Sequence, residues 1–490
     1  MMENNTLAAA RTAEQQPEVA GYVRPQFHLT PTMGWCNDPN GFCRFGGQYH
    51  LFYQYHPYST QWGPMHWGHS VSADLLHWER RPCALAPDTA ADAAGCFSGG
   101  AIEWEGRQLL LYTGVTRVNG QDVQQQCLAT GDGVDYTKAA ENPVIATADL
   151  PAGCAPADFR DPYLFTRDGV LYALIGARKQ GQDGRLLLYK ADASGRHWQF
   201  VRILIENDTA LGSMWECPSL FEVDGQDLLM FSPQYMQATP DHRYHCGNNA
   251  VVLLGQWDGP QAPFVKTGDM PLDYGLDYYA PQVVKTPDGR TVSMAWMQSW
   301  DHCYPQGDAK WYGQMSLPRE LHVRDKMLYQ TPTREFDALR GQKTVHKNVA
   351  LPQTPTALEG VRGRVLDLEM TLRPGKDCRR AAIRVACGKT HYTELRLDFE
   401  EGLLRVDRRC AGGFRDAAEL CESPLVKGVE NGSFAVRLVL DRFSAELFLQ
   451  GGAQTAALTL YATPQQEDEI QFYAKGGCEM DLTAYEIRME

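Results

Sequence analysis

The sequence predicts an all-β protein of two domains, and three observations carry that prediction. Between Arg24 and about Asp337, short apolar runs are bounded by Gly, Pro, Asn or Asp, and long helical periodicity is missing. Turn pairs recur through the same stretch, at Gly46-Gly47, Glu105-Gly106, Asp168-Gly169, Asp224-Gly225 and Asp288-Gly289. Beyond it the apolar residues alternate cleanly, as in strands with one solvated face. A chain of 490 residues is also long for one core, so two are expected.

In chain order, residues 1–24 read as a polar leader with helical tendency. They lack the basic and apolar regions of a secretory signal. Residues 25–337 hold runs such as Gln48–Tyr55, Gln108–Thr113, Val170–Ile175 and Asp227–Phe231. The turn pairs lie roughly 60 residues apart, which suits five propeller blades of four strands, although the period alone leaves a large sandwich open. The polar stretch 338–355 reads as a linker. In 356–490, Leu366, Leu368, Met370 and Leu372 face one way, as do Leu395, Leu397 and Phe399, then Val436, Leu438 and Leu440. That is the pattern of an antiparallel sandwich, to which we assign a supporting role.

Composition narrows the function. The net charge of −14, with no Lys/Arg block, argues against nucleic acid or an anionic membrane as partner. No apolar stretch is long enough to span a bilayer. The 11 Trp and 22 Tyr gather beside acidic motifs, as in a pocket for a sugar. Fourteen scattered cysteines without a Cys-x-x-Cys pair read as reduced thiols of a cytoplasmic protein. His66 and His69 have no matching ligand pair, so packing explains them better than zinc, and neither metal nor cofactor is expected.

The chemistry centres on Gly34-Trp35-Cys36-Asn37-Asp38-Pro39-Asn40-Gly41. Pro39 restricts the backbone and Gly41 gives it room to turn, so Asp38 is held in one orientation, although such residues also build plain surface turns. Two further acids sit in similar company, in Arg160-Asp161-Pro162 and Trp215-Glu216-Cys217-Pro218.

These motifs resemble glycoside hydrolase family 32, the β-fructofuranosidases. The resemblance runs from about Pro25 to the C-terminus. It rests on His28-x-x-Pro31 before Asn37–Gly41, Phe52–Tyr55, Trp62-Gly63 with Trp67-Gly68-His69, and Phe97-Ser98-Gly99. The two acid motifs, Tyr279-Ala280-Pro281-Gln282 and Ser316–Leu321 complete the set. Cys36, His56 and Gly100 depart from the family's usual residues without removing an acid, and bear on substrate preference.

The resemblance implies a five-bladed β-propeller followed by a β-sandwich, and retaining hydrolysis of terminal β-fructosides through a fructosyl-enzyme. Asp38 would be the nucleophile, Glu216 the acid and then the base, and Asp161 the transition-state stabiliser. Trp35, Asn37, Gln54, Trp62, Phe97, Ser98, Arg160, Cys217, Trp296 and Trp300 would contact sugar. Asp38 is expected to stay ionised through hydrogen bonds, and Glu216 to hold its proton through nearby negative charge and burial under Trp215. Without an export signal, sucrose or a short fructo-oligosaccharide ranks first and sucrose 6-phosphate second, with Lys310 and Arg243 the cations able to reach a rim. A fructosyltransferase, or a carbohydrate-binding propeller without catalysis, are the other readings. The sandwich is a possible homodimer contact.

Overall fold

The computed structural model describes residues 5–15, 24–180, 183–207, 211–301, 310–412, 419–461 and 467–489. Its strands form seven sheets: one of five strands, four of four, and two of six. The first five are the blades of a propeller. Each of the five turn pairs read from the sequence joins the first strand of a blade to its second, from Gly34–Phe45 and Gln48–His56 to Tyr279–Lys285 and Thr291–Trp296. Four of the pairs have positive φ at both residues, the geometry that matches strand twist in a two-residue hairpin.

The first strands, Gly34–Phe45, Gly95–Trp104, Cys154–Arg167, Met214–Val223 and Tyr279–Lys285, touch one another in a ring around the propeller axis. Trp311 and Tyr312 close that ring by pairing in parallel with Gly34 and Trp35. The middle strands are covered by neighbouring blades on both faces, which is why Leu109–Tyr112, Leu186–Tyr189 and Val251–Leu254 are unbroken buried runs.

In the sandwich each sheet has one solvated face, and alternation returns. Leu366, Leu368, Met370, Leu372, Leu395, Leu397, Val436, Leu438 and Leu440 meet in a single core. The stretch 338–355 is not merely a linker: Arg340–Ala350 is an 11-residue strand pairing antiparallel with Cys478–Ile487. It lies at the edge of its sheet and is mostly exposed, so its polar sequence concealed it.

Before the propeller, Leu7–Glu14 is a helix capped by the Thr6 hydroxyl. Arg11 donates to the Cys83 carbonyl at 3.0 Å and the Glu14 carboxylate accepts from the Cys83 N–H at 2.9 Å, which docks the helix on the outer strand of the first blade. No helix among the described residues is long and apolar enough to cross a membrane.

Propeller and sandwich are joined by a buried ionic cluster. His28 lies between Asp441, 2.8 Å from Nδ1, and Glu446, 3.0 Å from Nε2. Arg319 reaches Asp273 at 2.8 Å and Glu446 at 2.6 Å. Burial alone would depress the imidazole, yet the two carboxylates raise it to about 9.

Candidate active site

The acids are presented by a local irregularity that all five inner strands share. Each shifts register against its hairpin partner, at Asn37-Asp38, Ser98, Asp161-Pro162, Cys217-Pro218 and Ala280-Pro281 respectively. Proline donates no ladder hydrogen bond and so belongs at such bulges. Asp161, Cys217 and Ala280 take positive φ there, of 64°, 49° and 52°. Aligned by their prolines, Asp38, Asp161, Cys217 and Ala280 are equivalent positions, and Glu216 stands one residue earlier.

Asp38 is buried and accepts hydrogen bonds from Asn37 Nδ2 at 3.0 Å, from Ser98 Oγ at 2.9 Å and from the Cys217 thiol at 3.7 Å. Burial, followed by the charge of Glu216, nonetheless pushes its carboxyl up to about 6. Hydrogen bonding therefore does not outweigh burial, contrary to expectation. Asp161 is likewise pushed up to about 7 by burial and then by Glu216, with Arg160 opposing. Its Oδ2 accepts the Cys217 N–H at 3.1 Å, and its own N–H donates to Thr113 Oγ1 at 2.9 Å.

Glu216 accepts from Arg160 Nε at 2.9 Å and from the Tyr279 hydroxyl at 2.5 Å. Trp215 does not cover it. The neighbouring residue of a strand points to the opposite face, where Trp215 stacks on Phe231 with centroids 4.2 Å apart and donates to the Leu211 carbonyl. Cys217 ties Asp38 to Asp161: its Sγ is 3.7 Å from Asp38 Oδ2, and its backbone N–H donates to Asp161.

A cavity of about 390 Å³ opens over these carboxyls. Asn37, Gln54, Trp62, Phe97, Ser98, Arg160 and Trp300 line it with the three acids. Trp62 is 48% exposed and meets Phe97 edge to face at 6.1 Å, forming an aromatic wall. Trp35, Trp296 and Cys217 are not in the lining. Trp35 is stacked under Tyr312 at 4.3 Å, and its indole N–H donates to Asn37 Oδ1 at 2.6 Å. It thereby turns the Asn37 amide group toward Asp38. Trp296 is fully buried behind Trp300.

Three polar residues with no motif signal join the lining, Gln124, Asp158 and Gln234. All surround the Arg160 guanidinium, at 3.4, 3.1 and 3.4 Å. Tyr279 was legible only as part of a motif, without a role. Arg243 is engaged with Asp269, and neither it nor Lys310 lines the cavity. Cys36, His56 and Gly100 lie outside it too; a side chain at Gly100 would meet the Pro162 carbonyl at 2.9 Å. His66 and His69 are buried, with His69 stacked on Phe52 and 3.0 Å from His50.

Clustered carboxyls beneath an aromatic-walled cavity at the axis of a five-bladed propeller define a glycoside hydrolase. The chain matches the family description "Glycosyl hydrolases family 32 N-terminal domain" over residues 28–332, and the family's C-terminal description over residues 335–488. It belongs to glycoside hydrolase family 32, the β-fructofuranosidase family. It is 34% identical over 466 residues to a sucrose-6-phosphate hydrolase of Escherichia coli, covering 92% of each chain. A raffinose invertase of the same organism is 36% identical over 467 residues, again with 92% of each covered. The β-fructofuranosidase BmSUC1 of Bombyx mori is similar in structure, with a TM-score of 0.81 and 31% identity over 98% of this chain and 96% of that one.

Proposed function

We propose that Asp38 is the nucleophile, Glu216 the acid and base, and Asp161 the stabiliser of retaining fructoside hydrolysis, with sucrose 6-phosphate as first substrate. The observation that supports the roles is that the three carboxyls line one cavity, with Asp38 and Asp161 both held by Cys217. Asp38 attacks the anomeric carbon and Glu216 protonates the departing oxygen; Glu216 then takes a proton from the water that releases fructose. Asp161 and Arg160 hold the sugar as its ring flattens, against Asn37, Gln54 and Ser98 below and Trp62, Phe97 and Trp300 at the wall. Trp35, Trp296 and Cys217 act from behind these contacts.

The substrate order rests on relatives. Sucrose-6-phosphate hydrolases about a third identical to this chain match it over nine-tenths of its length, which reverses the order read from the sequence. One observation favours unphosphorylated sucrose instead. The described lining carries Asp38, Asp158, Asp161 and Glu216 against the single cation Arg160, a poor seat for a dianion. The raffinose invertase is equally similar.

Fructose release from sucrose, sucrose 6-phosphate, a short inulin-type oligosaccharide and levan, measured side by side, tests both parts. A large preference for the phosphate is expected; equal or better turnover of sucrose selects the second reading, and oligosaccharide products at high sucrose mark transfer. Asp38→Ala and Glu216→Ala should each lose at least about 10³-fold in kcat with the fold retained. Undiminished turnover in either variant overturns the assignment.

A further inference from the structure

Two cysteines that hydrolysis does not use meet at the rim of the sandwich, where the chain crosses between its sheets. It leaves one sheet at Leu366–Pro374 and enters the other at Arg380–Cys387. It returns between Glu469–Lys475 and Cys478–Ile487. The two crossovers are laced together. Pro374 stands opposite Cys478, the Gly375 N–H donates to the Gly477 carbonyl at 2.8 Å, and the Arg379 N–H donates to the Lys475 carbonyl at 2.8 Å. A β-carbon on Gly476 would lie 2.6 Å from the α-carbon of Cys378, so the backbones approach as closely as glycine allows.

Cys378 and Cys478 stand buried on these two laced crossovers, the Cys378 thiol donating to the Arg380 carbonyl at 3.8 Å and the Cys478 thiol to the Glu479 carbonyl at 3.6 Å. They lie just beneath the exposed residues Gly375, Lys376, Asp377 and Gly477. The neighbouring Cys478 thiol holds Cys378 below the ordinary thiol range, and Cys478 itself is raised. Cys378 therefore supplies the nucleophilic sulfur.

We propose that Cys378 and Cys478 form a reversible oxidation site that closes to a disulfide under peroxide and ties the two sheets of the sandwich together. The Cys378 thiolate attacks one peroxide oxygen; the O–O bond breaks, leaving a sulfenic acid and a hydroxide that takes a proton to become water. The Cys478 sulfur then attacks the sulfenic sulfur, the S–O bond breaks, and a second water leaves with the thiol proton. Two thiols and one peroxide give one disulfide and two waters. The bond would close a loop of about 100 residues, long enough to restrict the unfolded chain strongly.

The test is peptide-resolved mass spectrometry of the full chain after hydrogen peroxide treatment, quenching and alkylation under denaturing conditions. The expected product is a cross-linked peptide pair containing Cys378 and Cys478, two hydrogens lighter than the sum of its parts and released by dithiothreitol. The midpoint of thermal unfolding should rise by several degrees while fructoside turnover stays within about twofold. Cys478→Ser should stop at a Cys378 sulfenic acid that dimedone traps, with no rise in midpoint. Recovery of both cysteines alkylated after peroxide overturns the proposal. So does sulfinic acid at Cys378 with Cys478 free, and neither result depends on a variant that must fold.

Discussion

At the scale of the residue, the proposed nucleophile Asp38 is expected to set the acid limb of the working pH. Burial and the charge of Glu216 push its carboxyl up to about 6, and in the proposed role only its anion can attack a sugar. The value of kcat/KM should therefore fall as pH drops through about 6, and a pH–rate profile with its acid limb near 4 would contradict this placement. The same shift costs stability. A folded value raised above the ordinary 3.8 means that the folded state binds this proton more tightly, so the contribution is favourable in acid and is lost as pH rises through about 6. Replacing the charge removes the cost. Asp38→Asn should stabilise the protein by about 2–3 kcal/mol at pH 8 and by almost nothing at pH 3.5, as read by denaturant titration at the two pH values.

At the scale of the element, the inner-strand bulge explains how one architecture presents acids from three blades. A regular strand alternates its side chains, whereas an extra residue held by proline and positive φ re-aims the side chain beside it. Asp161, Cys217 and Ala280 hold conformations that cost about 1 kcal/mol or more each, at the place where function needs them. Leading into the first strand is His28, which binds Asp441 and Glu446 across the domain boundary. Its folded value is raised to about 9 from 6.5, so its stabilisation is complete below about 6.5 and is lost as pH rises through about 9. The two carboxylates are held below their ordinary values, so their share is present at neutral pH and lost in acid. Thermal midpoints should fall between pH 7 and pH 9.5, and His28→Gln should flatten that fall. An unchanged slope in the variant would place the titration elsewhere.

At the scale of the whole molecule, the buried cluster makes propeller and sandwich one cooperative body. Arg319 is fully buried and joins Asp273 of the propeller to Glu446 of the sandwich. Truncating one member of such a cluster leaves charge buried without a partner, which costs about 3–5 kcal/mol. Arg319→Met is expected to lower the midpoint and to split a single calorimetric transition into two. A single transition at the original temperature would show that the cluster does not couple the domains. No described residue of the sandwich lines the cavity.

The sequence by itself determined the all-β class, the five hairpin turns and the family, because turn chemistry and short motifs are local. The spacing of the turns suited five blades, and the resemblance chose the propeller over a large sandwich. Only the tertiary structure decided which motif residues face the cavity. Trp35 and Trp296 carry the same chemistry as Trp62 and Trp300, but strand register and ring stacking send them behind the site. Trp215 adjoins Glu216 in sequence and points to the opposite face of the strand. Gln124, Gln234 and Asp158 carry no signature, because their role comes from the Arg160 guanidinium that blade packing brings among them. Arg340–Ala350 escaped notice because an edge strand shows water the same polar face that a linker does. Cys378 and Cys478 lie about 100 residues apart in the chain and come onto adjoining crossovers only where the two sheets of the sandwich are laced together.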